Sequence, residues 1–489
     1  MNTHSLNCIG KPIIASYIRT HQTGNPLVDA LPPIKSDEDW YQQLLSLPPF
    51  DASQRSDPEH LRAYHVINLK EVFLPSQRHL MLARRIDQLI RWGYRKRDPL
   101  MPEHSQKLQH AYDQAQGISG KRLLFGESSP ICGSSLMGMS GMGKSTTIEA
   151  ILHAYPQYIF HPAHDLSQVV WLRVDCPRDG SLLELGMSIL RAFDRVLGTK
   201  HAQIGGVRSP SAASVKSKVI QLALSHCLGL LVIDEIQNLS VKKSGGREEM
   251  LNWFQELVNE LRLPVFLLGT FKAKSVMQLD VRHARRNTVM GSAVWEPMKL
   301  DADFRQLLQI LWKYLWLAEP GTLTDELVET IFEETQGISA FVVDMLLIAQ
   351  LYALRAKKET ITPTLFRHVA RTEFKPVQPV LNALRSKDPG RLRKFEDALD
   401  YDVQELIDHQ QRLITQGEGV LPPKPSANAT IFQQSAANVR SAIGVSGEVA
   451  RQLVEAVADG SQTTHQALTR AALALYYRQQ QAVEHGSQA

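Results

Sequence analysis

Between about residues 130 and 300, apolar residues fall into short unbroken runs, and several of these are followed by a stretch with three-to-four spacing. The runs are "SSLMGMS", "QVVWLRVDC" (Gln168 to Cys176), "LGLLVIDEIQNL" (Leu228 to Leu239), "PVFLLGT" (Pro264 to Thr270) and "SAVWEPM" (Ser292 to Met298). Runs of this kind suit strands covered on both faces, whereas a half-exposed strand would alternate. The intervening patterns "STTIEAILHAYP", stopped by Pro156, and "SLLELGMSILRAFDRVLG" read as helices. Five strands separated by helical patterns predict an α/β fold with a doubly wound parallel five-stranded sheet.

Beyond residue 300 the pattern turns helical throughout. "DFRQLLQILWKYLWLAE", "TDELVETIFEETQG", "SAFVVDMLLIAQLYALRAKK" and "TPTLFRHVARTEF" are separated at Pro320-Gly321, Gly337 and Thr362-Pro363. A Pro-, Ala-, Asn- and Ser-rich linker near 418–432 precedes a tail with two amphipathic patterns, "GEVARQLVEAVADG" and "THQALTRAALALYYRQQQ". The expected organisation is an N-terminal partner-binding extension over 1–110, the α/β core over 111–300, an all-helical lid over 301–372 and a C-terminal extension over 373–489. The tail either docks on a partner or packs on the lid.

Composition narrows the class. A chain of 489 residues with 43% apolar content can bury a full core. Four dispersed cysteines, Cys8, Cys132, Cys176 and Cys227, form no C-x-x-C pair, so reduced thiols in a cytoplasmic protein are expected. No run of about 18 apolar residues is present, and the N-terminal stretch lacks the pattern of a signal peptide, so no membrane partner is expected. Net charge is only +4, although basic residues cluster in "RRIDQLIRWGYRKR". Interleaved Leu, Ile and Trp92 make that stretch a half-buried helix with a solvated face, or else a DNA or partner surface.

The chemistry begins with "GMSGMGKSTTIEAIL". Gly138, Gly143, Lys144 and Ser145 satisfy G-x-x-x-x-G-K-[ST] between a strand and a helix. Gly138, Gly141 and Gly143 let backbone N–H groups wrap phosphates, the helix start with Lys144, Ser145 and Thr146 adds its positive dipole end, and Lys144 places a point charge on the β- and γ-phosphates. The expected cofactors are ATP and Mg²⁺, with Ser145 a metal ligand. Asp234, at the end of the apolar run 230–233, is placed to hold the metal through water, and Glu235 to polarise an attacking water. Thr270, at the tip of the next strand, either contacts the γ-phosphate or water or satisfies its own loop.

Arg282, Arg285 and Arg286 follow that strand on a short helical pattern. In ring-forming ATPases an arginine at this place reaches the neighbouring subunit's site, and the sequence does not choose among the three. A duplex enclosed by such a ring would be tracked through its phosphates, with little sequence preference. Candidates are Arg208, Lys216 and Lys218 between the two nucleotide motifs, and Lys242, Lys243 and Arg247 after the second, each with solvated loop charge as its alternative.

"GMSGMGKSTTIEAILHAYPQYIFHP", "QVVWLRVDCPRDGSLLEL", "GLLVIDEIQNLSVKKSGGREEMLNWF" and "PVFLLGTFKAKSVMQLDVRHARR" resemble the TnsC-type AAA+ regulators of DNA transposition and, more distantly, TniB and MuB. "GNPLVDALPPI" and "FKPVQPVLNALRS" extend the resemblance over about residues 24 to 390. It implies an AAA+ P-loop core followed by the helical lid. It further implies an ATPase that assembles as a homo-oligomeric ring or filament on duplex DNA, receives a target from a TnsD/TniQ-type selector and activates a TnsA/TnsB-type transposase. Such lids often carry an arginine three residues after a glycine. Here Ala340 stands in its place, so other contacts must close the lid. The same nucleotide motifs would also serve a signalling switch or helicase-loader-like adaptor acting on protein partners.

Overall fold

The computed structural model describes residues 11–17, 23–95, 97–115, 133–178, 180–203, 210–239, 253–254, 261–273, 292–386, 403–416, 435–436, 438–440, 442–443, 447–457 and 468–476. The strands are β1 (Ile13–Ile14), β2 (Gly133–Gly138), β3 (Tyr158–His161), β4 (Leu166–Val169), β5 (Trp171–Asp175), β6 (Leu230–Asp234), β7 (Val265–Gly269) and β8 (Ser292–Trp295). The helices used below are α1 (Pro26–Asp29), α2 (Asp37–Leu44), α3 (Glu59–His65), α4 (Gln77–Arg95), α5 (Pro102–Ala115), α6 (Lys144–Leu152), α7 (Leu182–Leu197) and α8 (Ala212–Ser225). They continue as α9 (Ala302–Lys313), α10 (Asp325–Thr335), α11 (Ser339–Arg355), α12 (Pro363–Thr372), α13 (Gln378–Arg385), α14 (Val403–Thr415) and α15 (Gly447–Val457).

The central sheet has the order β5-β6-β7-β2-β8, and every pair is parallel. All five residues of β6 and of β7 are buried. Successive side chains go to opposite faces, as a period of two requires. Leu230 and Val232 with Phe266 and Leu268 join one hydrophobic core, while Leu231 and Ile233 with Val265 and Leu267 join another. The second core is closed by α7 and α8, through residues such as Leu185, Ile189, Phe193, Val215 and Val219. The first is shared with α4, α6 and the helices after residue 300.

Two sequence-based boundaries shift. The single strand expected over Gln168 to Cys176 is two strands. β4 pairs antiparallel with β3 in a separate three-stranded sheet of order β1-β3-β4, and only β5 enters the central sheet. Between them Val170 donates its N–H to Gln157 O at 2.9 Å, outside either ladder. The helix after the glycine loop closes at Leu152, before Pro156 is reached, with His153 donating its N–H to Glu149 O.

The chain divides into two compact units, Met1–Leu354 with Glu359–Gln416, and Arg355–Lys358 with Gly417–Ala489. The N-terminal segment belongs to the first unit and shares its core through Leu27, Trp40, Val66, Leu69, Ile86 and Ile90, all at most 1% exposed. Arg62, only 5% exposed, forms a two-pronged ion pair with Glu359 and donates to Trp316 O. Arg55 donates to Leu315 O at 2.8 Å. The segment before residue 115 is therefore built against the helices that follow residue 300. In the second unit, Val439, Ala450, Val454 and Ala472 form a small helical core of their own. Among the described residues no single helix is long and apolar enough to cross a membrane, and the apolar α11 is almost wholly buried.

Candidate nucleotide-binding site

The glycine loop sits at the carboxyl end of β2. Gly141 and Gly143 have φ of 77° and 75°, a region that side chains with a Cβ rarely enter, so the loop's path depends on glycine there. Lys144 begins α6, is buried, and its Nζ donates to Gly138 O at 2.9 Å and Met139 O at 2.7 Å. The loop thus curls around its own ammonium group, and a phosphate oxygen offers that group a charged acceptor in place of neutral carbonyls. Thr147 locks the next turn, its Oγ1 donating to Gly143 O at 2.6 Å.

The other candidates stand at the carboxyl ends of β7, which adjoins β2, and of β6 beyond it. Asp234, 2% exposed, accepts from Arg173 Nη2 at 2.9 Å through Oδ2 and from Glu235 N at 2.8 Å through Oδ1. Arg173 stands on β5 and also pairs with Asp175 at 3.4 Å. Burial works against the Arg173 charge, but the hydrogen bond and charge of Asp234, with the charge of Asp175, outweigh it and raise its pKa. Each Asp234 oxygen takes one protein donor and keeps further acceptor capacity, which leaves room for a water of a bound Mg²⁺. Ser145 supplies the hydroxyl on the loop side. Glu235 takes a left-handed backbone, φ 54° and ψ 35°, a conformation that costs about 1 kcal/mol or more outside glycine. Thr270 is 4% exposed just beyond β7.

A cavity of about 680 Å³ gathers these parts, within the range that ligand sites occupy. Its floor is Gly141, Gly143, Lys144, Ser145 and Thr146, with Glu235 at one side. Asp234 and Thr270 lie behind this lining, at the neighbouring strand ends. One wall comes from the N-terminal segment, Val72 to Leu80, and the other from α9 and α11 through Gln306, Leu307, Ser339, Ala340 and Val343. The pattern along the sequence did not reveal the N-terminal wall, because nothing in residues 72–80 resembles a nucleotide motif. Within it, His79 accepts from Ser76 N at 2.8 Å through Nδ1 and packs edge-on against Phe73 and Trp295. Burial, with the Arg78 charge second, drives its pKa down to about 3. Arg78 itself lies 4.7 Å over the Trp295 ring.

At the lid, Ala340 stands three residues after Gly337, where related lids often carry an arginine. Its backbone N–H donates to Gly141 O at 3.0 Å, and Ser339 Oγ donates to the same oxygen at 3.2 Å. The first turn of α11 is thereby fastened directly to the glycine loop.

Lys216 and Lys218 lie half-exposed on α8, and Lys218 Nζ donates to Gln221 at 2.9 Å. Arg208, Lys242, Lys243, Arg247, Arg282, Arg285 and Arg286 lie outside the described residues, as does the linker near 418–432. The basic stretch is α4 and its C-terminal flank, and much of its charge is engaged within the fold. Arg91 pairs with Asp87 at 2.9 Å and donates to Pro32 O, Arg97 donates to Gly93 O, Leu228 O and Gly229 O, and Arg84 pairs with Asp37 at 3.3 Å.

No curated protein sequence matches the chain. Among solved structures it is similar to the Orc1 protein of Aeropyrum pernix in complex with DNA, at 16% identity over 65% of this chain and 84% of that one, with a TM-score of 0.35. It is also similar to a Walker-type ATPase of Pyrococcus abyssi, at 17% identity over 67% and 86%, TM-score 0.37. A third is the Drosophila origin recognition complex bound to DNA, at 13% identity over 83% and 88%, TM-score 0.38. Residues 134–277 match the family described as AAA domain. That stretch holds the glycine loop, Asp234, Glu235 and Thr270, and the chain is an ATPase built on an AAA domain, with a parallel five-stranded sheet and a helical region behind it.

Proposed function

We propose that this ATPase is a regulator of DNA transposition, one that assembles with ATP on duplex target DNA and links a target-selection protein to a transposase. The observation that carries this reading lies outside the nucleotide motifs. The two stretches that resemble TnsC-type regulators away from the ATPase core are integral to the same compact unit. In "GNPLVDALPPI", Asn25 caps α1 and donates to Tyr94 O at 2.9 Å, Leu27 O accepts from Gln168, and Leu31 is 2% exposed. In "FKPVQPVLNALRS", Phe374, Val377 and Leu381 are fully buried, and Arg385 holds Glu334 at 3.1 Å. A resemblance confined to phosphate-binding residues would fit any ATPase. One that extends to the elements packed around the cavity supports a shared architecture of core, N-terminal wall and lid.

In this reading the loop N–H groups and Lys144 bind the phosphates, and Glu235 orients the attacking water. Mg²⁺, which would be held by Ser145 and through water by Asp234, supplies neutralising charge when bound. Because the lid and the loop share Gly141 O, nucleotide at the loop can set the lid's position and so the surface offered to the next subunit. Lys216 and Lys218, with Arg208, Lys242 and Lys243, are the proposed phosphate-tracking contacts to DNA. Arg285 or Arg286 is the proposed contact to a neighbouring subunit's nucleotide.

The test is binding to a fluorescent duplex with and without a non-hydrolysable ATP analogue, followed by imaging. Nucleotide-dependent binding that falls steeply with salt, with rings or filaments on the DNA, is the expected result. Nucleotide binding with no assembly on DNA, even with a target-selection partner present, overturns the proposal in favour of a switch acting on proteins.

A further inference from the structure

The residues after Asp234 form a single turn that is tied to both neighbouring strands. Ile236 is fully buried and anchors the turn in the core, where it begins a one-turn 3₁₀ helix, Ile236–Asn238. Asn238 Nδ2 donates to Cys176 O at 3.2 Å, at the end of β5. Gln237 reaches the other way. Its Oε1 accepts from Thr270 N at 3.1 Å, at the end of β7, and its Nε2 donates to the Glu235 carboxylate. The amide has only one orientation that satisfies both partners, because a backbone N–H can only donate and an ionised carboxylate can only accept. Gly269 fits this contact closely. A Cβ there would lie 2.8 Å from Gln237 Oε1 and 2.8 Å from Ile236 Cγ2, so a side chain would push the amide away.

We infer that Gln237 is a positioning residue that couples Thr270 to Glu235, holding one carboxylate oxygen so that Glu235 meets the attacking water in a set orientation. The inference rests on the reading of Glu235 as the water-orienting residue. Glu235 lines the cavity while Thr270 is buried behind it, so the two do not report to each other through the ligand space alone. Gln237 supplies a direct path of two hydrogen bonds. A shift of the Thr270 backbone draws on the Gln237 oxygen, and the same rigid amide carries that shift to the carboxylate.

Two variants separate this role from simple support of the turn. Gln237→Leu keeps the size of the side chain and removes both hydrogen bonds. Gln237→Glu keeps an acceptor for Thr270 N–H and replaces the donor with a like charge. For both, kcat and KM for ATP are measured at steady state, with nucleotide binding and melting temperature as checks on folding. The expected result is a fall in kcat of about 10- to 100-fold with KM for ATP within about twofold. In a Glu235→Gln background, Gln237→Leu should add no further loss, since the two act as one unit.

Turnover near wild type in both variants overturns the inference, as does a further fall in kcat when Gln237→Leu is added to Glu235→Gln. A different outcome defeats the underlying reading instead: if Glu235→Gln alone turns over normally, Glu235 is not the water-orienting residue, whatever Gln237 does.

Discussion

The loop between β2 and α6 and the turn after β6 face the same cavity, yet they are held in opposite ways. The loop takes its path from backbone, with two left-handed glycines and a buried lysine bonded to its own loop's carbonyls, all within Gly138 to Lys144. The turn takes its path from side chains whose partners are distant. Arg173 is 61 residues from Asp234, Asn238 is 62 from Cys176, and Gln237 is 33 from Thr270. A local backbone device is set by a short run of sequence and tolerates change elsewhere. A side-chain device exists only once β5, β6 and β7 lie side by side, so it can be broken from any of three strands.

The largest test breaks the loop. Lys144→Ala removes the buried ammonium around which the loop is wrapped. ATP binding, turnover and nucleotide-dependent assembly should all fall to background, in titrations with a fluorescent ATP analogue and in phosphate-release assays. Retention of ATP affinity within tenfold would remove the loop from the phosphate site.

Glu235→Gln breaks the turn's chemistry and spares the loop. Turnover should fall by about 10²- to 10⁴-fold, while ATP affinity stays within about threefold and assembly persists. The contrast between the two variants is the comparison restated as kinetics: one removes binding, the other only the chemical step. Normal turnover in this variant would reassign the water-orienting role.

The same contrast explains what could be read along the chain. The loop, the carboxylate pair and the five strands were legible because each is a local pattern: glycines at fixed spacing, acid at the end of an apolar run, runs of both-sided burial. The break at Val170 was not, because both halves of 168–176 are equally apolar and only the pairing of β4 with β3 separates them. Gln237 and Arg173 were passed over for a related reason, since a glutamine or arginine beside a strand end carries no signal until its partner strand is in place. The N-terminal stretch read as an extension for partners, yet Leu27, Trp40 and Ile86 lie in the ATPase unit's core. Its wall of the cavity has no motif, only apolar residues with Ser76, Gln77, Arg78 and His79 among them.

That wall gives the next prediction. His79 is neutral in the folded chain, its Nδ1 turned to the Ser76 N–H, with Arg78 beside it and Asp303 facing Arg78. Its pKa of about 3 lies below the ordinary value of 6.5, so below pH 6.5 the unfolded chain takes up a proton that the folded chain refuses. The neutral-histidine contribution is complete above pH 6.5 and declines as pH falls towards 3, by about 1.4 kcal/mol per unit for one such group. His226, lowered by burial and then by His201 to about 4, adds a loss of the same sign. Urea unfolding at pH 7 and pH 5 should show a stability drop of about 2 kcal/mol per group. His79→Gln, which keeps an acceptor for Ser76 N–H, should shrink that drop by about one group's share, and an unchanged slope would mean His79 protonates freely in the fold.

The smallest effect lies where the two modes of construction meet. The glycine loop is backbone-built, but Gly141 O accepts from the Ser339 hydroxyl as well as from the Ala340 N–H, so a single side chain of the lid touches it. Ser339→Ala removes the hydroxyl bond and leaves the N–H bond and the helix start in place. One neutral hydrogen bond contributes about 1 kcal/mol, so ATP affinity should weaken by roughly fivefold with kcat at saturating ATP within twofold. If the loop is as self-sufficient as its glycines suggest, the change will appear in affinity alone, since the lid then only holds a loop already shaped. A fall in kcat of tenfold or more would instead mean that the lid sets the loop's geometry, and that the loop too depends on a side chain two hundred residues away.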